Sequence, residues 1–174
     1  LEDSVPEVVS GTPTNFTYKN QAFEFFLNDA WSTNDVYCTV SGNDTNLGVS
    51  AETPMATLGA LLAKYSFSPG DRIYIDTGIY TNLSSITLGS SHSGTTTNPV
   101  VIMGSTNRLA GGSVFGPTGG VASLAFTFQP NSSNILLKDV VIRNISRGVA
   151  LTNASNITLD GVEVRGAVTR GFDL

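Results

Sequence analysis

The sequence predicts an all-β chain wound as a parallel β-helix, a solenoid closed at its N-terminal end by one helix. Three observations predict it. The segment from Ser133 to Asn144 lies over the segment from Ser155 to Gly166 position by position. The apolar triplets Phe126-Thr127-Phe128, Val149-Ala150-Leu151 and Phe172-Asp173-Leu174 recur at even intervals. Between the apolar runs stand Asn, Gly and Ser, which form turns. Both recurrences give rungs of about 22–23 residues, and a fixed period in this range is the mark of stacked repeats.

Strand alternation assigns the inward positions of each rung. In the first copy these are Ile135, Leu137, Val140, Ile142, Val149 and Leu151; in the second they are Ile157, Leu159, Val162, Val164, Phe172 and Leu174. Stacking rungs about 4.8 Å apart sets like upon like and gives each rung the cover it lacks alone. The turns repeat as well, with Asn131 ahead of Asn153 and Asn134 ahead of Asn156, so that amides are expected to stack.

From the N-terminus, residues 1–35 read as an arm with strand-like segments. Its first part is acidic and broken by Pro6, Gly11 and Pro13, and its second part carries Phe16, Tyr18, Phe23, Phe25 and Leu27 in alternation with other residues. These segments either cover the bottom of the β-helix or pair the arm with another subunit; on the second reading the five, with Phe172 and Leu174, form a candidate assembly interface. Residues 36–174 are expected to form the β-helix. Val36-Tyr37-Cys38-Thr39-Val40 reads as a strand, which makes the single Cys38 a buried thiol or, on a sharper reading, an intermolecular bridge. The following loop, Ser41 to Gly48, holds one charge, Asp44, and reads as an Asx-type turn rather than a calcium loop. Residues 53–65 predict the capping helix, with Thr53 as N-cap, Pro54 in the first turn, and Met55, Leu58, Leu62 and Tyr65 on one face. Further strands are expected at Arg72 to Tyr80, Ile86 to Leu88 and Pro99 to Gly104, with longer glycine-rich loops between them.

At these residues a resemblance emerges. The run from Val36 to Val40, the loop Gly42-Asn43-Asp44-Thr45-Asn46, the stretch Thr53 to Leu58 and the stretch Pro69 to Tyr80 resemble the start of a right-handed parallel β-helix of the pectin-lyase-like superfamily. They are most similar to modules of large secreted or surface-attached bacterial repeat proteins. The resemblance covers about residues 36–174. It implies fold more than activity, because that superfamily joins polysaccharide lyases and hydrolases with adhesins, tailspikes and stalks.

Only 13% of the residues are charged and the net charge is -5, which gives no electrostatic reason for binding nucleic acid or an anionic membrane. No apolar run reaches membrane-spanning length. No catalytic or metal-ligating constellation can be placed, and no cofactor is expected. Lys138 stacks over Asp160 as an ion pair worth about 0–1 kcal/mol. Two arginine columns, Arg143 over Arg165 and Arg147 over Arg170, read as surface charge relieved by Glu163 and Asp173, or as a contact for an acidic glycan. His92 reads as a surface histidine in a loop. Asp71 and Asp76 flank one strand, on opposite faces by strict alternation.

Glycosylation sequons stand at Asn15, Asn43, Asn82, Asn131, Asn144, Asn153 and Asn156. Several belong to the repeated turn, which leaves Asn15 and Asn82 as the better acceptors. The start at Leu1 suggests a processed or excised form, and the last rung has no cap after it, so a longer chain or a docked subunit is expected there. The expected function is that of a non-catalytic extracellular structural protein, a β-helix subunit or module stacking end to end in a filament, surface stalk or adhesin. Two alternatives stand beside it: an N-terminal fragment of a polysaccharide lyase or glycoside hydrolase, and an acidic-glycan-binding module. The expected partners are accordingly copies of the same chain and polysaccharide.

Overall fold

The computed structural model describes residues 22–83 and 86–174, the side chain of Leu124 excepted. The described residues are all-β apart from one α-helix and two short 3-10 turns. Its strands are β1 (Glu24–Leu27), β2 (Arg72–Ile75), β3 (Gly78–Tyr80), β4 (Thr87–Leu88), β5 (Val100–Gly104), β6 (Ser113–Phe115), β7 (Ala122–Phe128), β8 (Ser133–Lys138), β9 (Val140–Leu151), β10 (Ser155–Asp160) and β11 (Glu163–Asp173). The helix, α1, spans Leu58–Lys64.

All the strand pairings are parallel. One sheet has the order β1-β2-β5-β8-β10, and the second runs β3-β6-β9-β7-β4 with β11 against β9. Successive passes therefore set equivalent residues side by side: Phe25 beside Ile73, Ile73 beside Ile102, Ile102 beside Leu137, Leu137 beside Leu159. In the second sheet Tyr80, Phe115, Ile142 and Val164 form another such row. Every member of each row is buried except the last, on β10 or β11, which is half-buried. The core thus lies between the two sheets and thins at their final strands.

The two spacings in the sequence have a structural cause. β10 lies on β8 at a constant offset, with Ser155 beside Ser133 and Asp160 beside Lys138. β11 begins on β9 at the same offset, with Glu163 beside Val141, and ends one position further on, with Phe172 beside Val149; the register shifts between Ala167 and Arg170. An added position within a strand is what a β-bulge inserts.

The corners explain the asparagines. Asn131, Asn134, Asp139 and Asn144 all have positive φ, and so do their counterparts in the next pass, Asn153, Asn156, Gly161 and Gly166. Left-handed backbone is tolerated by Asn and Asp better than by other side chains, and by Gly without cost. At one corner the amides meet as expected, Asn156 Nδ2 donating to Asn134 Oδ1 at 3.2 Å.

Three expectations need correction. The helix starts at Leu58, not at residue 53, because Thr57 is its N-cap: the Thr57 hydroxyl accepts from Ala60 N, and Asp44 accepts from Ala56 N, Thr57 N and the Thr57 hydroxyl. Upstream of that cap, Met55 bridges in parallel to Leu27. Residues 36–40 form no strand, since the amides of Val36, Tyr37 and Cys38 all point at the Asp76 carboxylate. Finally, Glu24–Leu27, placed by sequence in an arm ahead of the repeat, is the edge strand of the first sheet, so of its two expected roles it takes the covering one and not the pairing with another subunit.

Candidate functional site: the uncovered edge of β10 and β11

The two ends of the sheets differ. At the β1 end the outer edge is already used: Phe26 N donates to Gly48 O at 2.7 Å, Met55 N to Phe26 O at 3.0 Å and Asn28 N to Met55 O at 2.9 Å. Helix α1 buries Leu58, Leu61 and Leu62 in the core beside that segment. At β3 the carboxylate of Asp29 accepts from Ile79 N, capping the neighbouring edge. These backbone groups have partners, as burial requires.

At the other end β10 pairs only with β8 and β11 only with β9 among the described residues, so each presents one free edge. The inward positions there are partly open. Ile157, Leu159, Val162, Val164 and Ala167 are half-buried against the core, Phe172 is 42% exposed and Leu174 is 83% exposed. Val168 is exposed as well. An apolar row beside unpaired strand groups invites another strand.

Of the sequence-predicted interface, Phe172 and Leu174 lie at this edge. Phe25 and Leu27 do not: both are fully buried in the core, so they face their own chain and no neighbour reaches them. Phe23 is half-buried and tilts against Phe25 at 6.4 Å. Phe16, Tyr18 and Asn15 lie outside the described residues.

The arginine columns stand in register, Arg165 beside Arg143 and Arg170 beside Arg147. Acids on β11 answer most of their charge. Arg165 binds Glu163 through Nε and one terminal nitrogen, holding the Glu163 carboxyl below its usual range, while Asp173 takes Arg170 and lies 3.6 Å from Arg147. Arg143 is half-buried, and its Nε has no hydrogen-bond partner. Lys138 lies 3.5 Å from Asp160, as their register places them.

The sequons sort by the work their amides do. Asn43, Asn82, Asn131 and Asn153 are exposed. Asn144 is half-buried and donates to Pro117 O at 3.2 Å, and Asn156 donates to Asn134, so a glycan on either amide displaces a bond.

The buried acids act as staples. Asp76 is wholly buried and accepts from four amides, Val36, Tyr37, Cys38 and Thr77, at 2.6 to 2.8 Å. Asp71 accepts from Phe23 N and Ser68 N, tying the start of β1 to the turn before β2, and burial raises its carboxyl above the ordinary value. Both oxygens of Asp29, which lines a recess of about 150 Å³ with Thr57, Tyr80 and Asn82, are taken by the amides of Trp31 and Ile79. Strand alternation sets Asp71 and Asp76 on opposite faces and gives neither a role. The signal for their structural role is the Asp-Thr-Gly turn closing a strand, where a carboxylate reaches backbone amides.

His92 is buried, contrary to the expectation of a surface residue. Its Nδ1 accepts from Gly89 N and its Nε2 faces Leu62 O at 3.2 Å, which fixes a neutral ring with the proton on Nε2. Burial lowers its pKa, and Phe67 packs edge-on at 5.1 Å. Cys38 is buried and free, its thiol pushed up by burial and 3.6 Å from Leu27 O. Among the described residues no group of three His, Cys, Asp or Glu side chains converges as metal ligands, and no helix is long and apolar enough to cross a membrane.

No family model, curated protein or solved structure matches this chain.

Proposed function

We propose that this chain is a structural module built as a right-handed parallel β-helix, outside the cell, whose β10 and β11 edge is extended by a further layer of the same repeat. The observation that carries the reading is the graded cover of the repeat. Leu137 and Val149 are fully buried by the pass that follows them, whereas their partners Leu159 and Phe172 hold the same positions without that cover. Parallel passes joined by crossovers are right-handed in nearly all proteins, which supports the handedness. Engagement of Asp71 and Asp76 by backbone amides supports a structural rather than a chemical use of the acids. The exposed sequons support the extracellular setting.

Closure of the β1 end favours a module over a filament subunit, because head-to-tail stacking needs both ends open. The test is to append a second copy of residues 152–174 after Leu174, so that the turn keeps its length, and measure unfolding by urea. A layer that finds its seat covers Leu159 and Phe172 and raises the midpoint; an unchanged or lowered midpoint counts against the reading.

A further inference from the structure

We propose that Asp35 is a proton-operated fastening at the β1 end of the fold: the strap of residues 29–40 draws down on the end of β2 when the Asp35 carboxyl holds a proton, and loosens when that carboxyl is charged. Nothing in this depends on what occupies the β10 and β11 edge.

The strap begins where β1 ends. Asn28, wholly buried, ties it from inside: its Nδ2 donates to Asp35 Oδ2 at 2.6 Å and to Val40 O at 2.8 Å, and its Oδ1 accepts from Asp29 N at 2.9 Å. Two bonds hold it from neighbouring loops, Thr39 N donating to Ala51 O at 3.1 Å and Asn107 Nδ2 to Asn34 O at 3.0 Å.

The carboxyls of Asp29 and Asp76 lie close enough to act on Asp35, and among the described residues none of these acids is in an ion pair. They differ in the donors that support a negative charge. Asp76 accepts from four backbone amides, and Asp29 from the amides of Trp31 and Ile79. Asp35 accepts only from the Asn28 amide, on Oδ2; its Oδ1 is shut off from water and has no hydrogen-bond partner. Hydrogen bonds to the charged form favour it, whereas burial and like charges disfavour it. Asp35 is therefore the acid of this group that takes up a proton first as pH falls. Burial raises its pKa most, the Asn28 bond opposes the rise, and Asp76 and Asp29 add to it.

The other groups that face Asp35 do not answer its charge. Cys38 on the strap and Tyr80 on β3 both feel it and are both pushed up, so they stay neutral. Arg108, next to the Asn107 that holds Asn34, is turned to Asp139 and Gly161 O. A charged Asp35 thus meets two like charges with a single donor in support, and the strap carries that repulsion. Because its folded pKa is the higher one, Asp35 contributes fully below about pH 4, and the contribution is lost as pH rises through the folded value.

The test is a carboxyl NMR titration of the whole chain, with exchange of the Thr39 amide followed over the same range. Asp35 is expected to titrate above the ordinary aspartate value and at a higher pH than Asp29 and Asp76. After allowance for base catalysis, exchange at Thr39 is expected to speed up from about pH 4 to about pH 7 in the wild type, and not in Asp35→Asn. That variant keeps an acceptor for Asn28 and stays neutral, as the protonated acid does. It is also expected to melt above the wild type at about pH 7, with the gap closing toward about pH 4. An Asp35 that titrates at or below the ordinary value, a melting gap that does not change with pH, or the same Thr39 exchange in both proteins overturns the proposal. So does protection of Thr39 by added calcium near neutral pH that Asp35→Asn abolishes, since a cation would then neutralise the carboxyl in place of the proton.

Discussion

Replacement of Asp76 by alanine tests whether the buried acids hold the fold together. The side chain accepts from Val36 N at 2.6 Å, Tyr37 N at 2.8 Å, Cys38 N at 2.6 Å and Thr77 N at 2.7 Å. Without it the four amides lose their acceptor, but their costs differ. Val36 is exposed and Tyr37 half-buried, so water reaches their amides. Cys38 and Thr77 are buried, and each buried donor left unmade costs about 1–3 kcal/mol. The sum over these two gives an expected loss of about 2–6 kcal/mol, a large part of the stability of an ordinary domain. Asp76→Asn keeps one acceptor oxygen and turns an NH2 group toward the other pair of amides, so its loss is expected to be comparable. Urea unfolding gives the free energy, and amide exchange at Cys38 and Thr77 locates it. A loss below about 1 kcal/mol, or unchanged exchange at both amides, refutes the reasoning.

The same geometry sets further expectations. Leu137→Ala, at a wholly buried site, is expected to cost about 2–5 kcal/mol in urea unfolding, and Leu159→Ala, one pass later and half-buried, clearly less. Gly148→Ala places a Cβ 2.5 Å from Gly171 O and 2.8 Å from Val164 Cγ1, so it is expected to lower the melting temperature, while Gly119→Ala, with nothing within 4 Å, is expected to leave it unchanged. His92 has a lowered pKa in the fold, so the unfolded chain takes up the proton first; its contribution is complete above about pH 6.5 and is lost as pH falls toward the folded value. Stability measured from pH 7 down to about pH 5.5 is therefore expected to decline less in His92→Gln than in the wild type. In a glycosylating host, mass spectrometry of peptides is expected to find glycan at Asn43, Asn131 or Asn153 in folded material, and not at Asn144, whose amide is bound to Pro117 O.

How far the sequence can be read depends on whether a residue's role is periodic. Ile135, Leu137, Ile142 and Val149 announce their burial by repeating, and the structure buries all four. The two slightly different spacings are both visible in the sequence; that one strand carries both, through a shift between Ala167 and Arg170, is not, because a bulge adds a position without changing composition. The repeated asparagines are visible as turn formers, and their positive φ explains why Gly161 and Gly166 stand in for Asp139 and Asn144. Legibility fails where the contacts are long-range and occur once. Val36 to Val40 has a strand's composition, yet its first three amides are claimed by the distant Asp76 carboxylate. Thr53-Pro54 has the form of a helix start, but Met55 is drawn into a bridge with Leu27 and the cap passes to Thr57. Phe25 and Leu27 leave two roles open in the sequence, cover for the repeat or contact with another subunit, because β2, the strand that pairs with theirs, stands far along the chain, beyond the loop and helix between them. At the candidate site, Phe172 and Leu174 are legible as the end of a repeat, while the closure of the opposite edge by Gly48 and Met55 is not.

Whether the β10 and β11 edge seats another layer of the repeat in register is decided most sharply by a disulfide. The chain is extended by a second copy of residues 152–174, with Thr158→Cys made in both copies of the repeat. Thr158 stands beside Leu136 in the existing pass, so its duplicate is expected beside Thr158 itself, about 4.8 Å away and within disulfide reach. This pair is expected to close under mild oxidation, and faster than a pair offset by two positions. A pair that stays reduced, or one that closes no faster than the offset pair, contradicts the seating of a further layer.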